Sequence, residues 1–204
     1  MRSFWVKIIF AVLCLSVLSV ACTAGRWFKR STVVRREVVK QSVLVFPFDI
    51  APEVNMSALT AKAVAGAARE KLQQTGKYNV FLFSERLAPI QRAIEVDKVF
   101  ASNKQLEPPY SDDKKRLMLI AGVTAADCAL SGVIESYNYD AASKTVSILL
   151  SAEMIEVKTG RTLGVYTATG KATASAQIAD ENELKGVALA DAVAKLGLDS
   201  KDKD

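Results

Sequence analysis

Lys144-Thr145-Val146-Ser147-Ile148-Leu149-Leu150-Ser151-Ala152-Glu153-Met154-Ile155-Glu156-Val157 is the stretch whose pattern decides the fold. Val146, Ile148, Leu150, Ala152 and Met154 recur at every second position, with Thr145, Ser147, Ser151 and Glu153 between them. In an extended chain successive side chains point to opposite faces, so this period of two predicts a strand packed on one side and wet on the other. Lys158-Thr159-Gly160-Arg161 supplies a tight turn, after which Thr162 to about Ala174 returns as another strand. Upstream, Cys128 to Tyr139 reads as a strand joined to the central one by Asp140-Ala141-Ala142-Ser143-Lys144. The three together form an antiparallel meander.

The amino-terminal half reads differently. Ser42-Val43-Leu44-Val45-Phe46-Pro47-Phe48-Asp49 is a near-continuous apolar run, the pattern of a strand buried on both faces. Pro47 has no N–H to give a ladder and belongs at its end or on a bulge. A helix follows from roughly Met56 to Thr75, with Ala58, Ala61, Ala65, Ala68 and Leu72 as one stripe and Gly76 as a left-handed stop. Tyr78 to Phe83 is the second strand. A helix from about Ala88 through Phe100 follows, carrying Leu87, Ile90 and Ile94 on one face. Asn103 to Tyr110 reads as a loop. Ser111 is the expected N-cap of a helix that buries Leu117 to Ala121 and ends near Gly122. The last helix starts at Asp180-Glu181-Asn182-Glu183 and buries Leu189, Val193 and Leu196. The expected class is α/β (α+β in stricter terms): a mixed sheet of about five strands with helices mainly on one face, in the order β-α-β-α-α-β-β-β-α.

The chain has 204 residues, half of them apolar, which suits one domain and a linker. It contains no histidine, which removes Ser-His-Asp and Cys-His catalysis and the commonest metal ligand. A formal charge of +5 gives no argument for nucleic acid. Much of that charge sits at Arg26, Lys29, Arg30, Arg35, Arg36 and Lys40, where the one acid is Glu37. This stretch reads as a solvated tether, with contact to anionic lipid and an added edge strand as the alternatives.

Arg2 and Lys7, the apolar run Ile8 to Val20, and Ala21-Cys22 give the order basic, apolar, small, cysteine. The run is too short to span a bilayer, which takes roughly 20 apolar residues. The order resembles the bacterial lipoprotein box, which implies cleavage before Cys22 and acylation of it, palmitate being the typical chain. The alternative is a secretory peptide cleaved near Ala21 or Ala24, with Cys22 incidental. Thr23, where an Asp would retain the chain, resembles the outer-membrane sorting pattern of enteric bacteria. The expected division is a leader at 1–21, a lipidated basic linker at 22–41, a folded domain at 42–198 and a charged tail at 199–204. Cys14 falls in the leader and Cys22 is acylated, so Cys128 alone remains as a thiol.

Four segments carry a family resemblance: Val43 to Phe48; Leu72 to Val80 with Ser84-Glu85-Arg86; Ala125 to Gly132; and Ala152 to Leu163. They resemble the periplasmic domain of curli-secretion lipoproteins (CsgG-like). They are also similar to the lipoprotein activators of penicillin-binding proteins (LpoB-like) and the amino-terminal domain of TolB-type proteins. The resemblance implies a lipid-anchored, non-catalytic module of envelope assembly, export or cell-wall enzyme regulation. Its expected partners are the membrane and another envelope protein. The alternative is self-association as a ring-forming component of a secretion apparatus related to curli export. A transmembrane hairpin takes more than about 20 residues, and neither the first hairpin connection nor 174–179 leaves room for one. The module is therefore expected without a barrel.

Candidate chemistry is sparse. Cys128 starts an apolar strand and reads as buried. Asp112-Asp113 and Asp180-Glu181 read as helix starts rather than metal ligands. Ser131-Gly132 lacks the Gly-x-Ser-x-Gly frame of a nucleophile elbow, and the glycines are too isolated for a phosphate loop. Gly132 inside an apolar strand predicts a close backbone approach. Tyr137 and Tyr139 fit either a binding surface or a strand covering a helix. No enzyme, cofactor or metal is expected. The partner surface is expected on the wet face of the central strand, at Ser147, Leu149, Ser151 and Glu153, or on the loop from Asn103 to Tyr110.

Overall fold

Gln41–Val45 forms β1, and Val43, Leu44 and Val45 are all fully buried, as the continuous apolar run requires. A computed structural model describes residues 40–100, 102–175, 178 and 180–198. The expected leader, Cys22, the linker through Val39 and the tail 199–204 lie outside the described residues. Pro47 interrupts the first strand, and the chain resumes as the short β2, Asp49–Ile50. Then come α1 (Ala58–Gln74), β3 (Tyr78–Leu82), α2 (Ala88–Glu95), a short 3-10 turn (Asn103–Leu106) and α3 (Lys114–Val123). The meander β4 (Cys128–Asp140), β5 (Thr145–Glu156) and β6 (Thr162–Thr173) leads into α4 (Glu181–Lys195).

The sheet runs β3-β1-β4-β5-β6, with β2 also beside β4. β1 is parallel to both β3 and β4, and β2 is parallel to β4, whereas β4, β5 and β6 are antiparallel. One sheet therefore joins a parallel end to an antiparallel end. β4 belongs to both, and a register shift at Glu135 marks its change of role.

The larger core lies under α1 and α4. Val64, Ala65, Ala68 and Leu72 of α1 and Leu184, Ala188, Ala192 and Val193 of α4 meet Val43, Val45, Leu130, Ile148 and Leu150 of the sheet. A smaller core lies under α2 and α3, where Ile90, Ala93, Leu117 and Ile120 meet Leu44, Phe46, Ala129 and Ile155. β1 is thus covered on both faces. α4 can lie directly on β6 because of Gly170: a Cβ there would come within 1.9 Å of the Ala188 carbonyl oxygen. At Gly132 a Cβ would come within 2.4 Å of the Phe48 ring, the close approach the sequence predicts.

Local expectations differ in instructive places. Ala58 is exposed, so the buried stripe of α1 begins at Ala61 and includes Val64. α2 ends at Glu95, well before Phe100, and Lys98 adopts φ 51, which no helix continues. The N-cap of α3 is Asp113, which accepts from the Arg116 N–H at 3.0 Å; Ser111 instead serves a buried carboxylate described below. Asp180 caps α4 through the Asn182 and Glu183 N–H groups. Gly76 at φ 69 closes α1 as expected. Among the described residues no helix is long and apolar enough to cross a membrane.

Candidate functional site

Two surfaces stand out, one at each end of the sheet. The first is the side of the meander turned away from α4. Val146, Ile148, Leu150, Ala152 and Met154 are buried beneath the helices, as their period predicts. The intervening residues Ser147, Leu149, Ser151 and Glu153 are half-buried and share the other face. Register places Thr169 and Ser136 beside Leu149, and Thr167 and Val133 beside Ser151. Val165 lies beside Glu153 and is 70% exposed. The result is a hydroxyl-rich face studded with a few apolar side chains.

The four predicted residues are neighbours on this face, but their environments differ. Lys114, the first residue of α3, donates to the Glu153 carboxylate at 2.9 Å and to the Thr162 hydroxyl at 2.8 Å, and the Thr162 hydroxyl donates to Glu153. Burial alone would raise the Glu153 pKa, but the bonds from Thr162 and Lys114 and the Lys114 charge outweigh it and hold the carboxyl below its usual range. Glu153 is thus a strut between β5 and α3 at the margin of the open face. The Ser151 hydroxyl donates to Glu135. Ser147 and Leu149 occupy the middle of the face.

The second surface is a cleft at the carboxyl ends of β1 and β3, and it is assembled from distant segments. The chain leaves β1 through Pro47 and Phe48, leaves β3 through Ser84-Glu85-Arg86, and returns through Pro108-Pro109-Tyr110. Together with the start of α1 and with Val133 and Glu135 of β4 these line an open cleft of about 1340 Å³. Asp49 holds the wall. It is 7% exposed and accepts from the Tyr110 N–H at 2.7 Å, the Ser111 N–H at 2.7 Å and the Ser111 hydroxyl at 2.6 Å. A buried carboxylate is tolerated because these donors replace its water. Behind the wall Phe46 and Phe83 stack with centroids 5.0 Å apart, and Tyr110 packs against both. The Tyr110 hydroxyl donates to the Leu106 carbonyl at 2.9 Å. Its pKa is pushed up to about 12, first by burial and then by the charges of Glu85 and Asp49.

The end of the loop proposed from sequence, Pro108 to Tyr110, forms part of this cleft. Sequence reasoning missed Asp49 as its anchor; the available sign was a carboxylate ending an apolar strand. Cys128 is buried, and its thiol pKa is pushed up to about 11 by burial, then by Asp127 and Glu156, the opposite of an activated nucleophile. Tyr137 covers a helix: its hydroxyl donates to Glu181 of α4, and the Lys185 ammonium lies 4.7 Å from its ring centre. Asp113 and Asp180 are caps. Among the described residues no group of three or more His, Cys, Asp or Glu is placed to hold a metal ion.

No protein-family model matches the chain, and no curated protein matches it. Solved structures similar to it share a low fraction of identical residues. The PelC dodecamer from Paraburkholderia phytofirmans is 17% identical over 79% of this chain and 89% of that one, with a TM-score of 0.48. Lipoprotein GNA1162 from Neisseria meningitidis is 15% identical over 72% and 91%, with a TM-score of 0.44. The LpoB C-terminal domain from Escherichia coli is 16% identical over 66% and 82%, with a TM-score of 0.40. LpoB, named in the resemblance read from the sequence, is therefore among the structures this chain is similar to.

Proposed function

We propose that this chain is a bacterial envelope lipoprotein, held to the membrane through an acylated Cys22, whose folded domain is a non-catalytic docking module. The observation that carries the docking role is the face of β4, β5 and β6 that is left open among the described residues. Both faces are covered by helices at the parallel end, yet this one presents Leu149, Val133 and Val165 among Ser and Thr side chains. The partner-binding residues are Ser147, Leu149 and Ser151, with Glu153 holding the edge of the face in place. Thr23 supports the periplasmic side of the outer membrane as the location. A tether of this length concentrates the domain near membrane-bound partners, so affinity in solution need not be high. The partner belongs to envelope assembly, export or cell-wall enzyme regulation. The basic order before Cys22, the missing histidine and the buried Cys128 support a positional mechanism without catalysis.

A second reading, self-association into a ring in a secretion apparatus, is favoured by β6. Among the described residues this is a 12-residue edge strand without proline, and such an edge is a template for pairing.

Intact-mass analysis of the membrane-extracted protein beside a Cys22→Ala variant tests the anchor, and cross-linking from position 149 in the same membranes tests the face. An amino terminus at Cys22 with acyl mass and cross-links to one other protein are expected. Cross-links between copies select the second reading. An unmodified chain cleaved elsewhere defeats the tether.

A further inference from the structure

The cleft at the carboxyl ends of β1 and β3 differs in charge from the chain that carries it. The whole chain has a formal charge of +5. The cleft is lined by five carboxylates, Asp49, Glu53, Glu85, Asp112 and Glu135, against two cations, Lys62 and Arg86. Asp49 is consumed by its backbone donors, whereas Glu53, Glu85 and Asp112 are exposed at the rim. Beneath the rim the lining is apolar, including Val45, Phe48, Ala61, Ala65 and Leu82. Its volume, about 1340 Å³, exceeds the roughly 300–1,000 Å³ of pockets that enclose small ligands. The location matches a general tendency of open α/β sheets, whose ligand crevices lie outside the carboxyl ends of the parallel strands.

We infer that this cleft receives an extended, positively charged segment of another protein, its basic side chains meeting the rim and its apolar groups the floor. The charge excess argues for the sign of the occupant, and the volume of the cleft argues for a peptide rather than an enclosed metabolite. The field is felt inside the wall, where the charges of Glu85 and Asp49 add to burial in raising the Tyr110 pKa. The wall at Tyr110 and Ser111, tied to Asp49 by three hydrogen bonds, gives a preformed surface, which lowers the ordering cost of binding. This site does not need the anchor, and although it shares Val133 and Glu135 of β4 with the open face, its rim carboxylates Glu53, Glu85 and Asp112 lie outside that face.

The test uses the full chain in neutral-detergent micelles and a labelled decapeptide of alternating lysine and proline, which stays extended on its own. The companion peptide carries glutamate for lysine. The lysine peptide is expected to bind saturably and at least ten times more tightly than its companion. Glu53→Lys with Glu85→Lys is expected to weaken it at least tenfold. Glu70→Lys with Glu95→Lys makes the same change in net charge on exposed residues outside the cleft and is expected to change binding less than twofold. Amide exchange on the unsubstituted chain, which needs no variant to fold, is expected to slow at Ser84 to Arg86 and Tyr110 to Asp112. Absence of binding by the lysine peptide, equal losses from both pairs, or protection confined to β5 and β6 would overturn the inference. A Leu149→Asp variant leaves this binding intact even where it abolishes docking on the open face, so the two sites fail separately.

Discussion

At the parallel end, Val43, Leu44, Val45 and Phe46 are successive buried residues, because α1 covers one face of β1 and α2 and α3 the other. Along β5 burial alternates from Thr145 to Met154, because α4 covers one face and, before Ile155 runs under α3, only Lys114 of the described helices reaches the other. The same sheet thus shows two ways to use a strand. Where both faces are buried, every residue contributes to packing and the surface for function is displaced to the strand ends, where the cleft lies. Where one face is open, the strand itself becomes the surface. The two proposed binding surfaces therefore lie at the strand ends in one half and on a flat face in the other.

The difference predicts unequal costs. Phe46→Ala at the doubly covered end removes an aromatic ring stacked on Phe83 and is expected to destabilise by about 3–5 kcal/mol in urea unfolding. A loss below about 1 kcal/mol would mean that the small core under α2 and α3 contributes little. Next in size is Gly170→Ala. The added methyl meets α4 backbone, so α4 must shift, at a cost of about 1–3 kcal/mol from overpacking. Faster amide exchange in α4, with β1 and β3 unchanged, would place the damage at the antiparallel end.

A smaller effect concerns pH. The Asp127 carboxylate accepts from the Ser42 N–H and hydroxyl, both at 2.7 Å, and ties β1 to the start of β4. These bonds, the backbone one first, lower its pKa in the folded chain. A depressed folded pKa gives stability that is fully present above the unfolded value of about 3.9 and is lost as pH falls through the folded value. Asp127→Asn keeps an acceptor but cannot titrate, so its stability is expected to fall less steeply below about pH 4 in acid-titrated unfolding. Identical slopes would show that Asp127 contributes nothing to acid sensitivity. Leu149→Ala is expected to change stability least, within about 0.5–1 kcal/mol, while reducing partner cross-linking several-fold. A loss like that of Phe46→Ala would show that the open face is covered in the native protein.

Much of this contrast was legible in the chain. The alternation from Val146 to Met154 marked the buried and wet faces of β5 correctly, since strand geometry links position to face without regard to neighbours. Gly76, Gly160 and Asp180 marked a stop, a turn and a start through local backbone preferences. Gly132 announced a close approach but not its partner, Phe48. Ser111 looked like a cap because Ser is a common one. Asp49, which is 62 residues earlier, captured its hydroxyl, and Asp113 took the cap. The cleft was largely illegible because its walls come from five separate segments whose proximity is set by strand order.

The sequence by itself determined the elements, the face of each strand that turns inward and the absence of histidine chemistry, because these follow from short-range geometry and composition. Only the tertiary structure decided that β1 lies between β3 and β4, that helices cover both faces of one end and a single face of the other, and that an acidic crevice opens where β1 and β3 part. Those outcomes depend on contacts between residues far apart in the chain, which no local period encodes.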